Sequence, residues 1–189
     1  MEKGAKMRLL IKFIVVCIFA IGLQAKSYIY IEGEIKLPLK KQNVTVYGGV
    51  PVEVISKNGN FVNIKISGYV DKKDRLSLYA TKNHKLLLTT VKNPKFIKIS
   101  GDKGVLEAKV PKKNITDDMD EAWEANSDLF YDKCTKCHHA KIVESHSMQT
   151  WGVLFSSMQP KARTTKKQSA LILRFLRAFA KDGILRESD

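Results

Sequence analysis

Cysteine is scarce, with three in 189 residues, which excludes a small fold stapled by several disulfides. Five prolines and 11 glycines are too few for collagen or low-complexity sequence. The sequence contains no phosphate-binding G-x-x-x-x-G-K-[ST] loop, no G-x-S-x-G and no H-E-x-x-H. The commonest nucleotide, serine-hydrolase and zinc-protease chemistries therefore have no residues to act through. Acids are also in short supply: 19 Asp+Glu face 33 Lys+Arg, a net charge of +14. With 44% apolar and 28% charged residues, what remains is globular text long enough for one or two small domains.

The first 25 residues predict an export signal. Lys3, Lys6, Arg8 and Lys12 precede an uninterrupted apolar run of 11 residues, Phe13 to Leu23, and Ala25 offers a small residue for cleavage. That run is short for a membrane span, which needs roughly 20 apolar residues, and its flanks are those of a secretory signal. Val16 before Cys17 does not suit a lipoprotein signal, so Cys17 is expected to leave with the segment. Export places the rest of the chain in the periplasm and leaves Cys134 and Cys137 as its cysteines.

Residues 26–113 alternate with period two and are rich in Val, Ile and Tyr, the pattern of strands. Lys57-Asn58-Gly59-Asn60 separates two of these runs and predicts a tight hairpin turn. Ile64-Lys65-Ile66-Ser67-Gly68 is echoed at Ile97-Lys98-Ile99-Ser100-Gly101, and Val44-Thr45-Val46-Tyr47 at Leu76-Ser77-Leu78-Tyr79. Two copies of a small β unit and chance similarity of Lys-rich β text both account for the echo. Residues 114–189 change to helical text. Thr116-Asp117-Asp118 is placed to cap a helix running past Phe130, and a last amphipathic helix is expected from Thr165 to Lys181. Charge divides at the same point: 26–113 carries a net +11 and 114–189 a net zero.

The chemistry-bearing motif is Cys134-Thr135-Lys136-Cys137-His138, a C-x-x-C-H. This is the attachment signature of c-type haem, in which the thiols form thioethers and the His ligates the iron. A redox-active C-x-x-C, a zinc site drawing on His138, His139 or His146, and a structural disulfide are the competing readings. Three residues are candidates for the sixth iron ligand: Met158, Met148 and His146. Met158 falls on a Trp151, Leu154, Phe155, Met158 stripe with helical spacing, so a helix-core methionine is the plain alternative for it. Trp151 is expected against the haem or in the helical core, Trp123 in the core, His139 on the surface and His84 on a loop. Lys133, Lys136, Lys141, Lys161, Arg163, Lys166 and Lys167 flank the motif and could steer an acidic partner to it.

Two resemblances bear on the whole. Val44 to Val54, the turn at Asn58-Gly59, and Phe61 to Val70 resemble bacterial SH3-like domains, which implies a small barrel over 26–113, single or duplicated. The haem box with Leu129 to Cys134 before it, Met158-Gln159-Pro160 and the final helix resembles class I monohaem cytochrome c. Within that class, the haem box followed by His146, Trp151, Met158 and a helix ending Ala180-Lys181-Asp182 is similar to the C-terminal haem domain of TorC/TorY-type cytochromes. The expected fold class is therefore β followed by α: a signal over 1–25, an SH3-like β domain over 26–113, and an all-α cytochrome c domain over 114–189. The resemblance implies one covalent haem c and single-electron transfer from a membrane quinol-oxidising complex to a periplasmic molybdenum N-oxide or S-oxide reductase. It implies an electron carrier rather than an enzyme. A haem-based gas sensor, and an adaptor whose basic β half binds cell wall, membrane surface or a partner, remain open. Export disfavours nucleic acid despite the positive charge.

Overall fold

The fold is that of a computed structural model describing residues 26–39 and 42–185. The expected export signal, Met1 to Ala25 with Cys17, lies outside the described residues. No helix among the described residues is long and apolar enough to cross a membrane.

Ten strands among the described residues form a single curled antiparallel sheet, followed by three helices. The strands are β1 (Ser27–Ile29), β2 (Glu34–Leu39), β3 (Gln42–Tyr47), β4 (Pro51–Asn58), β5 (Phe61–Tyr69), β6 (Ser77–Tyr79), β7 (Leu87–Val91), β8 (Ile97–Ser100), β9 (Lys103–Pro111) and β10 (Ile115–Thr116). The helices are α1 (Met119–Cys134), α2 (Met148–Ala162) and α3 (Lys166–Ala178).

Period-two alternation sets the inside of the sheet. Val62, Ile64 and Ile66 of β5 pair with Val110, Ala108 and Leu106 of β9, and all six are buried. The intervening residues face out, where Lys65 stands opposite Glu107 and also pairs with Glu53, while Lys98 reaches Glu107 at 2.7 Å. The β4–β5 turn is Gly59-Asn60, with Gly59 at φ +58°. A bulge between Val54 and Ser56 leaves Ile55 exposed.

This architecture corrects the expected SH3-like barrel followed by an all-α cytochrome c domain. The segments that resemble an SH3-like unit pair outside it: Val44 with Val91, and Val62 with Val110. The sequence echo does not mark two copies of a unit. Ile66 and Ile97 both pair with Leu106, on the two edges of β9, and Val46 and Leu78 both pair with Thr89 of β7. Similar strands flank a shared neighbour and meet similar packing demands, so they carry similar text.

The helices are tied to the sheet rather than set apart from it. After a short 3-10 turn at Lys112–Asn114, the chain returns to the sheet as β10 and pairs with β1. Asp118 then caps α1, its Oδ1 accepting from the backbone N–H groups of Asp120 (2.8 Å) and Glu121 (3.2 Å). Trp123 of α1 lies on Gly49, where a Cβ would overlap the indole. Thr165 caps α3 in a reciprocal capping box with Gln168. The helix ends at Ala178, three residues short of the expected Lys181. Arg174 of α3 donates from Nε to the Gly48 carbonyl (3.0 Å) and from Nη1 to the Leu87 carbonyl (2.5 Å), and Arg177 donates to the Lys85 carbonyl (3.1 Å). The apolar surface of α3 is wide because it meets three neighbours. Phe175 packs on Phe130 and Trp123 of α1, Leu176 faces α2, and Leu171 reaches Gly33 near the sheet.

Candidate functional site

The motif begins at the last residue of α1. Cys134 closes the helix and is half-buried; Thr135 follows as its cap, and Cys137 and His138 are exposed in the loop beyond. Both cysteines are free thiols, and burial pushes the Cys134 thiol above its ordinary pKa. A redox-active C-x-x-C needs the opposite, a thiol at a helix N-terminus with a lowered pKa. Among the described residues, no three His, Cys, Asp or Glu side chains stand close enough together to hold a metal ion.

His138 is oriented by the backbone of the next residue. Its Nδ1 lies 2.8 Å from the carbonyl oxygen of His139. An imidazole donating from Nδ1 keeps its lone pair on Nε2, the arrangement found where His binds a metal. His139 is exposed, as expected.

A cavity of about 330 Å³ opens beside the motif, between the end of α1, the 138–146 loop and α2. Cys134, His138, His146 and Met158 all line it, with Phe130, Ala140, Trp151, Leu154, Phe155 and Leu176 as apolar wall. A smaller cavity of about 140 Å³ adjoins it and shares Cys134, His138, Met158 and Ala162, adding Cys137, Lys133 and Lys161.

The structure sorts the candidate sixth ligands. Met158 sits within α2 rather than in a loop, with Pro160 in the last turn and Arg163 leaving the helix at φ +49°. It still faces the cavity, because the Trp151, Leu154, Phe155, Met158 stripe is the cavity wall. Met158 is thus a partly exposed residue at the cavity rather than a helix-core methionine. His146 precedes α2, with its ring edge-on to Trp151 at 5.0 Å. Met148 does not line the cavity: its side chain is fully buried and its N–H donates to Asp182 Oδ1 at 2.6 Å. Trp151 Nε1 donates to the Val143 carbonyl at 2.7 Å, which fixes the indole in the wall. Trp123 is a core residue. His84 lies in the β6–β7 connection, its ring tilted against Tyr79 at 4.9 Å and 3.8 Å from Asp71.

Lys133, Lys141 and Lys161 border the two cavities. Asp132 lies between Lys133 (3.0 Å) and Lys136 (3.2 Å), and the hydrogen bond from Lys133 holds its carboxyl below the usual range. Lys167 belongs to a different place, paired with Glu32 at 3.0 Å. Sequence reasoning missed Ala140, Thr150 and Ala162 as wall residues; small and polar side chains carry no periodic signal.

No family model, no curated protein and no solved structure matches the chain. The donor chemistry fits a c-type haem on its own terms: two thiols three residues apart, an imidazole fixed through Nδ1, and an apolar cavity holding a thioether and a second imidazole.

Proposed function

We propose that the chain is an exported c-type haem protein that carries single electrons, with one haem bound to Cys134 and Cys137 and His138 as its iron ligand. The observation behind this reading is the convergence of Cys134, His138, His146 and Met158 on one apolar cavity. When bound, the haem supplies an iron centre that takes up and releases one electron at a time.

The protein's residues attach, tune and expose that centre. Cys134 and Cys137 would hold the haem through two thioether bonds. His138 offers Nε2, because Nδ1 is committed to the His139 carbonyl. Met158 offers a thioether from α2, and His146 is the alternative ligand on the same cavity. Phe130, Trp151, Leu154, Phe155 and Leu176 limit water, which shifts the potential through burial and dielectric. Lys133, Lys141 and Lys161 give the rim positive charge, which favours approach of an acidic redox partner.

The periplasmic location rests on the export signal read in Met1 to Ala25. The donor, a membrane quinol-oxidising complex, and the acceptor, a periplasmic terminal reductase of the molybdenum N-oxide or S-oxide type, rest on the sequence resemblance. The excess of Lys and Arg over 26–113 suits contact with an anionic membrane or wall surface.

The test is the absorption spectrum of the protein exported from cells that mature c-type cytochromes, recorded oxidised and reduced. Sharp reduced bands with reversible reduction support the reading. A purified protein without haem absorption contradicts it.

A further inference from the structure

Another cavity lies away from the haem motif. It is a crevice of about 620 Å³ between α3 and the sheet, within the size range of small-molecule sites. Leu86, Leu87, Ala170, Leu171 and Leu173 supply apolar wall, and Tyr47 lines it as well. Four cations line it: Arg174, Arg177, Lys85 and Lys167. Two carboxylates, Glu32 and Glu34, line it too, and both are exposed. Glu32 is taken up by Lys167 at 3.0 Å, in a pair largely open to water.

The two arginines pair directly with neither of these carboxylates. Neither forms an ion pair among the described residues. Arg174 spends Nε and Nη1 on the Gly48 and Leu87 carbonyls, and Arg177 spends Nη1 on the Lys85 carbonyl. Arg174 Nη2 and Arg177 Nε are buried without an acceptor. Burial pulls Arg174 down to about 10, which still leaves it charged at neutral pH. A buried cation without an anion is costly, and each buried donor without a partner adds to that cost. The rings of Tyr47 and Trp123, 5.3 and 5.6 Å from the Arg174 guanidinium carbon, offset part of that cost.

We propose that this crevice binds a small organic anion, a carboxylate carrying an apolar chain, with the carboxylate beside Arg174 and Arg177 and the chain against Leu86, Leu87, Leu171 and Leu173. The carboxylate supplies a directly paired counter-charge, and the apolar wall loses contact with water. This site is separate from the haem cavity, and the proposal does not depend on the haem reading.

The test is calorimetric titration of the full exported chain with octanoate, using neutral octanamide as the matched control. Arg174 also holds α3 to the sheet, so the variants avoid it. Ala170 is exposed and lines the crevice, which makes Ala170→Trp a filling variant that leaves the core alone. Saturable binding of octanoate is expected, with octanamide much weaker. Ala170→Trp should abolish it, and Arg177→Gln should raise Kd by about tenfold, as loss of one charge-assisted hydrogen bond does. No octanoate binding overturns the proposal. So does equal binding of octanamide, or octanoate binding that Ala170→Trp leaves unchanged.

Discussion

His138 is oriented by a backbone atom of its own neighbour: its Nδ1 lies 2.8 Å from the carbonyl oxygen of His139. The side chain of His139 takes no part in that contact. His139→Ala should therefore keep both the haem and its spectrum, whereas His138→Ala should lose the normal spectrum through loss of the iron ligand. The absorption spectra of the two purified variants check this. A His139→Ala protein with the defect expected of His138→Ala would contradict it.

Met158 and His146 line the same cavity, and their chemistry separates them. A thioether ligand gives the oxidised protein a weak red absorption band and raises the reduction potential relative to a second imidazole. Met158→Leu should abolish the band and lower the potential, while His146→Ala keeps the band. Redox titration with optical readout measures both. A band that survives Met158→Leu would transfer the ligand role away from Met158.

The junction of helices and sheet rests on Trp123 over Gly49 and on the two carbonyl contacts of Arg174. Gly49 has φ +72°, so Gly49→Ala meets both backbone strain and the indole ring. A loss of about 2–4 kcal/mol is expected from overpacking and strain together. Arg174→Met strips the Gly48 and Leu87 carbonyls of their donor and should cost about 2–3 kcal/mol. Arg174→Lys should not restore it, because one amine cannot reproduce the planar fork. Urea unfolding of the three variants checks these values, and an unchanged midpoint for Gly49→Ala would refute the packing argument.

Before haem attachment, the two thiols differ in exposure. Cys137 is exposed and Cys134 half-buried, with its thiol pushed up by burial. Protein produced without haem should alkylate at Cys137 first. Matured protein should alkylate at neither, since both sulfurs would be thioethers. Peptide mass mapping after timed labelling with iodoacetamide gives the order. Equal labelling rates at the two positions would contradict the burial difference.

Local structure was legible where one residue type decides it. Asn58-Gly59 marked its hairpin, Asp118 and Thr165 marked helix starts, and the spacing of Cys134, Cys137 and His138 singled out a segment that borders a cavity. The architecture was not legible. Strand text reports that one face is buried, but it does not report which strand lies alongside, so the echo between Ile64–Gly68 and Ile97–Gly101 left duplication and chance similarity both open. Both segments instead flank β9 of one sheet. Helix α2 showed in the helical spacing of Trp151, Leu154, Phe155 and Met158, and Pro160 falls in its last turn, where the helix is about to end. The roles of Arg174 and Arg177 depend on carbonyls distant in sequence. Their one sequence trace is two arginines in the otherwise apolar stretch 170–178 of α3.

Covalent attachment is the claim on which the functional account stands, and intact-mass spectrometry of the denatured exported protein tests it most directly. The account predicts a mass increase equal to one haem, localised to the peptide carrying Cys134 to His138 and abolished when both cysteines are replaced by alanine. An unmodified mass from a strain that attaches haem to other c-type proteins would contradict it.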